Sequence, residues 1–333
     1  CSHGTLCPIS IGTLSKLQRL NLCSNSLTGT LPASWGSLTS LETLCLRFNS
    51  LSGTLPESWG GMLSLKELSL DSTRLNGTLP TSWGKLQGIQ TLDLEFNSLS
   101  GTLPASWGNM SSLQTLFLNS NNLSGNLPAS WGDMHAIQTL YPQQEPSHGN
   151  LPESWGNMSS LETLYLYVNN LTGTLPSSWK DLNNIQTFVL EYNTLSGTLP
   201  PSWGSMSNLQ AVYLTSNNLN GTLPASWWSM SSLQFLDLSS NSVSGTLPAA
   251  WGSMLNLQEL YLNNNPLTGS AARVASRIGA ALAAIAAAPS AAFAVGRLST
   301  FSGFGACDDV AMQTVASEMT DDVPIFLEAP LQL

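Results

Sequence analysis

Apolar residues recur along this chain in one fixed rhythm. In the unit that opens at Leu161, Leu stands again at 164, 166, 171, 175 and 182, with Trp at 179, and Ile185 opens the next unit 24 residues on. Asn25, Asn49, Asn97, Asn121, Asn169, Asn193, Asn217, Asn241 and Asn265 occupy one position of the unit, and Thr73 and Glu145 fill its two other occurrences. A Pro-x-x-Trp runs in the same register from Pro32/Trp35 to Pro248/Trp251. Self-similarity at a fixed period of this size is the mark of a repeat architecture, in which each unit buries its core only against its neighbours.

The order of residues within the unit predicts its parts. The alternation Leu-x-Leu is a short strand with both Leu facing inward and the intervening residue facing out. Successive strands then stack side by side as a parallel sheet. The Asn turns inward, where its amide can satisfy backbone groups left open as the chain leaves the strand, so the nine Asn form a buried structural ladder. Gly of Leu-Ser-Gly permits a turn, and the Pro after it, which cannot sit in a central strand, marks the opposite, convex side. Trp and Met of Pro-x-x-Trp-Gly-x-Met are expected to pack inward there rather than to stack on sugars. Trp228, which stands where the unit has Gly, is expected to be the single exposed Trp.

Two stretches break the pattern. Pro142 to His148 keeps the length of the unit but none of its chemistry, as a base insertion with a compensating deletion would produce, and a local bulge is expected there. After Gly269 the repeat stops, and residues 270–333 form an Ala-rich and then acidic tail, poorly ordered or partly helical. Within it, 278–296 is an uncharged run of the length of a membrane span, although Pro289 sits at its centre. At the other end the chain starts in mid-unit, with Ile11 in the Trp position. Residues 1–269 are thus read as one solenoid of about 11 repeats with a truncated start.

Composition narrows the function. Charged residues make up 9% of the chain, against a usual ~25%, and the net charge is −10. No basic patch exists, so nucleic acid is not an expected partner. His3, His135 and His148 share no face, and no nucleophile motif, phosphate loop or metal-ligand spacing occurs, so no catalytic residue, cofactor or metal is expected. Five Cys give no disulfide framework. Cys23 and Cys45 lie on adjacent strands but two residues out of step, which is read as too far for a bridge.

The outward positions of the sheet carry the candidate chemistry. The residue between the two Leu reads Asn21, Cys45, Ser69, Asp93, Phe117, Tyr141, Tyr165, Val189, Tyr213, Asp237, Tyr261. With strands about 4.8 Å apart this is a continuous aromatic stripe. Tyr167, Glu191 and Tyr192 lie beside it. Arg47, Phe48, Asp71, Glu95 and Phe96 lie further toward the N-terminus. Either these aromatics pack on one another, as strand aromatics do, or they anchor a ligand. Under the second reading the binding residues are Phe117, Tyr141, Tyr165, Tyr167, Tyr192, Tyr213, Asp237 and Tyr261, with Tyr165 and Tyr213 exposed. Six Asn-x-Ser/Thr sequons, at Asn76, Asn109, Asn122, Asn157, Asn170 and Asn220, are glycosylation candidates and favour secretion.

The unit Asn-Leu-Ser-Gly-Thr-Leu-Pro-Ala-Ser-Trp-Gly-Ser-Met resembles the plant-type leucine-rich repeats of receptor-kinase ectodomains and polygalacturonase inhibitors. Its Thr-Leu-Pro and the Trp after it resemble more closely the repeats of kinetoplastid surface antigens and proteophosphoglycan-related proteins. The resemblance covers residues 1–269 and implies an α/β repeat fold, a curved leucine-rich repeat solenoid with a parallel concave β-sheet and 24-residue repeats. It further implies a non-enzymatic, extracellular or cell-surface protein that binds a protein or glycan ligand by its concave face, with membrane attachment left open. An inhibitor of a secreted hydrolase and a structural coat protein are the alternatives.

Overall fold

The computed structural model of the chain describes residues 12–142 and 148–269. Cys1, Cys7, Ile11, Glu145, the tail from 270 onward and the apolar run 278–296 lie outside the described residues. Among the described residues, no helix is long and apolar enough to cross a membrane.

Each coil contributes one three-residue strand to a parallel sheet of eleven, from Arg19–Asn21 through Thr163–Tyr165 to Glu259–Tyr261. The register is uniform at 24 residues, as in Leu20↔Leu44 and Val212↔Leu236. The strand Thr139–Tyr141, just before the aberrant stretch, pairs on both sides. The central residue of each strand points into the core, where Leu44, Leu68, Leu92, Leu116, Leu140 and Leu164 are fully buried.

Where the strand ends, the residue before each rung takes a left-handed conformation. Ser72, Phe96, Val168 and Tyr192 have φ of 53°, 51°, 52° and 53°. Such angles are uncommon outside Gly and, for a β-branched Val, a true outlier. They swing the next residue inward. Asn193, 7% exposed, then donates to the carbonyls of Leu166, Leu190 and Glu191 at 2.8–3.1 Å and accepts from the Leu171 amide at 3.1 Å. Asn49, Asn97, Asn121, Asn217, Asn241 and Asn265 make the same four-way set. Each therefore ties its own coil to the preceding one. Thr73 donates to the Leu70 carbonyl and to Asn97 Oδ1.

The Leu-Ser-Gly segment is not simply a turn. It forms a second set of parallel strands: Thr28–Thr30, Ser50–Thr54, Arg74–Thr78, Ser98–Thr102 and Asn122–Ser124 in one sheet, with the pairs His148–Asn150/Asn170–Thr172 and Ser196–Thr198/Asn218–Asn220 beyond. Gly is needed inside these strands for two reasons. At Gly197 φ is +76°, and a Cβ would lie 2.7 Å from Thr174 Cγ2. This set breaks at the aberrant stretch and again between Asn170–Thr172 and Ser196–Thr198, while the eleven-stranded sheet runs past both.

Opposite the sheet, each Pro opens a five-residue 3-10 turn such as Ala105–Asn109 or Pro201–Ser205. Pro supplies the fixed φ and needs no amide partner there. The Trp of the turn is fully buried in all ten coils from Trp35 to Trp251, within 1% exposure. From Trp59 on, its Nε1 donates to the Pro carbonyl one coil back, as Trp107 does to Pro80 at 2.9 Å. Neighbouring indoles stack with centroids 6.1–6.5 Å apart and planes within 1–7°. Strands in a sheet are only about 4.8 Å apart. The coils therefore spread on the Trp side and close on the sheet side, which makes the eleven-stranded sheet the concave wall. Trp228 is 50% exposed.

Candidate functional site

The concave face is lined by the outward residues of the strands and those two positions further on. Tyr141 and Tyr165 lie with ring centroids 5.1 Å apart, and Tyr167 closes on Tyr141 at 5.5 Å. Tyr213 lies tilted against Phe235 with centroids 4.5 Å apart, and Phe235 against Tyr261 at 5.4 Å. The stripe is thus two aromatic groups separated by Val189. Tyr165 and Tyr213 are half-buried rather than fully exposed, because the rings of Tyr141 and Phe235 lie against them. Phe235 belongs to the second group, although its place in the sequence does not mark it. It stands two residues before Asp237, in a column that otherwise carries Thr, Ala, Glu and Arg. Phe117 is half-buried in its strand, and Tyr192, held by its left-handed backbone, is 46% exposed.

Acidic groups sit among these rings. Burial, and after it the charge of Asp237, pushes Glu191 up to about 7. Burial also raises Asp237, against hydrogen bonds from Ser239 that lower it. Its Oδ1 accepts from the Ser239 amide at 2.8 Å and the Ser239 hydroxyl at 2.6 Å. Tyr165 is raised by burial, and Tyr192 and Tyr213 by burial and then by the negative charge of Glu191. The Tyr261 hydroxyl donates to Glu259 Oε2 at 2.7 Å, which pushes it up to about 12. Apart from Lys180, which pairs with Asp181 on a 3-10 turn, no Lys or Arg occurs between residues 86 and 269. Among the described residues, the patch is aromatic and acidic and has no nearby basic side chain.

Toward the N-terminus the same face changes character. Cys23 and Cys45 are disulfide-bonded, with Cα atoms 5.5 Å apart, within the range a bridge requires. The expectation that they are too far apart fails because parallel hydrogen bonds slant. Leu22 N donates to Cys45 O at 2.9 Å, which carries residue 23 back toward residue 45. The expectation of no metal-ligand set meets a cluster that linear spacing does not reveal. Carboxylate oxygens of Asp71, Asp93 and Glu95 all lie within 4.8 Å of one another. Burial, then the charges of Asp71 and Glu95, pushes Asp93 up to about 7.

The six sequon asparagines are all exposed. Asn76, Asn122, Asn170 and Asn220 lie in the second set of strands. Asn109 and Asn157 end 3-10 turns. None is on the concave face.

Known proteins share this architecture. A family model described as a leucine-rich repeat region matches residues 60–263, and leucine-rich repeat models match 15–75 and 256–273. No curated protein matches. Among solved structures, a TDR receptor is similar at 31% identity and a TM-score of 0.74, over 79% of this chain and 46% of that one. The Arabidopsis receptor kinase HAESA, in complex with the peptide hormone IDA and the co-receptor SERK1, is similar at 33% identity and a TM-score of 0.71, over 78% and 44%. A leucine-rich repeat protein of Leptospira interrogans is similar at 30% identity and 0.65, over 80% and 65%. This chain spans half or less of the receptor ectodomains it matches. With a 24-residue coil, a continuous parallel sheet and these matches, the chain belongs to the leucine-rich repeat family.

Proposed function

We propose that this protein is a non-enzymatic recognition module of the cell surface or extracellular space that binds a basic protein or peptide segment along its concave face. The observation that carries this reading is the half-buried carboxylate of Glu191 among Tyr165, Tyr192 and Tyr213, with Asp237 adjacent and no basic side chain among the described residues to balance it. A partner's Lys or Arg would relieve the buried charge, and the tyrosine rings offer both cation–π faces and rigid contact area. The six exposed sequons all lie off this face, so glycans would leave it open. The disulfide suits an oxidising compartment. HAESA and the receptor RGFR1, both similar in fold, are structures in complex with peptide hormones, which supports a peptide over a glycan. An acidic face poor in Lys also disfavours an acidic polysaccharide. The closer kinship to kinetoplastid surface antigens rests on the Thr-Leu-Pro-x-Ser-Trp unit alone.

Selection of peptides from a random display library on the full chain tests the proposal. Enriched sequences should carry Lys or Arg. Tyr165→Ala with Tyr213→Ala should weaken the selected binder by about 2 kcal/mol or more and lower stability by roughly 1 kcal/mol per ring pair lost. Unchanged affinity in that double variant would remove the concave face as the site. The contacts of Tyr141 with Tyr165 and of Tyr213 with Phe235 favour a second reading, a structural coat protein whose aromatics only brace the sheet. That reading requires a stability loss with no effect on any interaction.

A further inference from the structure

We propose that Asp71, Asp93 and Glu95 form a binding site for a hard divalent cation, Ca²⁺ in preference to Mg²⁺, on the N-terminal part of the concave face. This goes beyond the recognition function and does not depend on it, since Glu95 and Glu191 stand at the same position of different coils, 96 residues apart.

The fold brings the three residues together. Asp93 ends the strand Thr91–Asp93, Glu95 stands two residues on, and Asp71 holds the position of Glu95 in the preceding coil. The offset of Asp71 to Asp93 is 22 residues, the same as that of Cys23 to Cys45, whose Cα atoms are 5.5 Å apart. Three carboxylates are thereby packed together with one basic side chain near. That side chain, Arg47, holds its guanidinium 5.4 Å above the Phe48 ring. Its charge is felt at Asp71 and Asp93, but it forms no ion pair with either.

A second observation points to a ligand. Asp71 is 4% exposed, and its Oδ1 is buried with no hydrogen-bond partner. A buried, unpaired carboxylate oxygen costs several kcal/mol unless something pairs it. Its neighbours in the cluster are two further carboxylates, which repel it. Glu95 Oε2 accepts from Asn119 Nδ2 at 2.9 Å, and Asp93 Oδ1 from the Glu95 amide at 3.2 Å. These bonds hold both side chains where each offers an oxygen to the cluster. All donors are hard oxygen atoms, the choice of Ca²⁺ and Mg²⁺. Their number and charge decide between the two. Three protein carboxylates at one site suit Ca²⁺, which takes six to eight oxygen ligands, better than Mg²⁺, which dehydrates reluctantly and is usually held by one or two carboxylates. Water from the open face would complete the shell.

The test is a CaCl2 titration of the metal-stripped full chain, monitored by calorimetry and by thermal melts against NaCl of matched ionic strength. We expect a saturable heat with one ion per chain, a Tm that rises with Ca²⁺, and a smaller rise with Mg²⁺. Asp71→Asn and Asp93→Asn are close in shape and remove mutual repulsion. In EDTA each variant should melt at or above the wild-type temperature, and in Ca²⁺ below it. This reversal would not arise from a merely structural role. Glu95→Gln should weaken Ca²⁺ binding by about tenfold or more. No saturable heat and no Tm rise at about 10 mM Ca²⁺, or a rise that survives Asp71→Asn and Asp93→Asn, overturns the proposal.

Discussion

At the scale of single residues, the molecule is stitched by side chains that reach the preceding coil. Asn193 spans to Leu166 and Leu171, and Trp107 to the Pro80 carbonyl. The Ser before the Trp, from Ser58 to Ser226, reaches back in the same way, as Ser106 donates to the Thr81 carbonyl at 2.8 Å. The value of a rung therefore depends on what lies before it. Asn193 makes four bonds and is buried, so Asn193→Ala leaves its backbone partners unpaired and should cost about 2–3 kcal/mol. Asn25 is exposed and bonds the carbonyls of Leu22 and Cys23 within its own coil. Asn25→Ala should cost about 1 kcal/mol or less. Denaturant melts of the two variants measure the difference, and equal losses would contradict the ladder.

Among the elements, the first coils differ from the rest by a covalent tie. The disulfide joins the coil of Arg19–Asn21 to that of Thr43–Cys45 across 22 residues. Closing a loop of that length stabilises by about 3 kcal/mol on the chain-entropy account. In a repeat protein stability is a sum over neighbours, so its loss is felt locally. Reduction, or Cys23→Ser with Cys45→Ser, should speed amide exchange in the first two coils and leave Thr163–Tyr165 and its neighbours unchanged. Uniform acceleration along the chain would mean that the coils unfold as one unit.

For the whole molecule, the acidic concave patch sets a pH dependence. Glu191 titrates at about 7 when folded and near ~4.3 when unfolded. Between these values the folded chain holds a proton that the unfolded chain has lost. This stabilisation is present at low pH and is lost as pH rises through 7. Glu191→Gln should therefore be more stable than wild type at about pH 8, by on the order of 1–3 kcal/mol, and equal to it at about pH 4. Tyr165, Tyr192, Tyr213, Asp237, Glu259 and Tyr261 face the same patch; the tyrosines stay neutral across this range. A basic partner needs the charged carboxylate, so its affinity should fall from about pH 8 to about pH 6 in wild type and stay flatter in Glu191→Gln. Melts and binding measured over one pH series check both signs.

The sequence by itself determined every feature that a strict period dictates. Leu-x-Leu every 24 residues dictates the stacked strands. Pro-x-x-Trp dictates the turn and a buried indole column, and Trp228 in the place of Gly dictates an exposed ring. These are local properties, repeated, and one unit contains them all. Tertiary structure decided what lies between units at offsets other than the period. Because parallel hydrogen bonds slant, a side chain meets a residue 22 positions on, as Cys23 meets Cys45, as well as its counterpart one period away. That diagonal also brings Asp71 to Asp93 and sets the register of the second sheet, where Ser50 pairs with Thr28. Aligning the units at their period hides all three. Phe235 likewise enters the aromatic face from the neighbouring column, across the strand from Tyr213. The candidate site was visible as a set of outward residues. Which of them touch, and which charges they bury, depends on the pitch and slant of the coils that carry them.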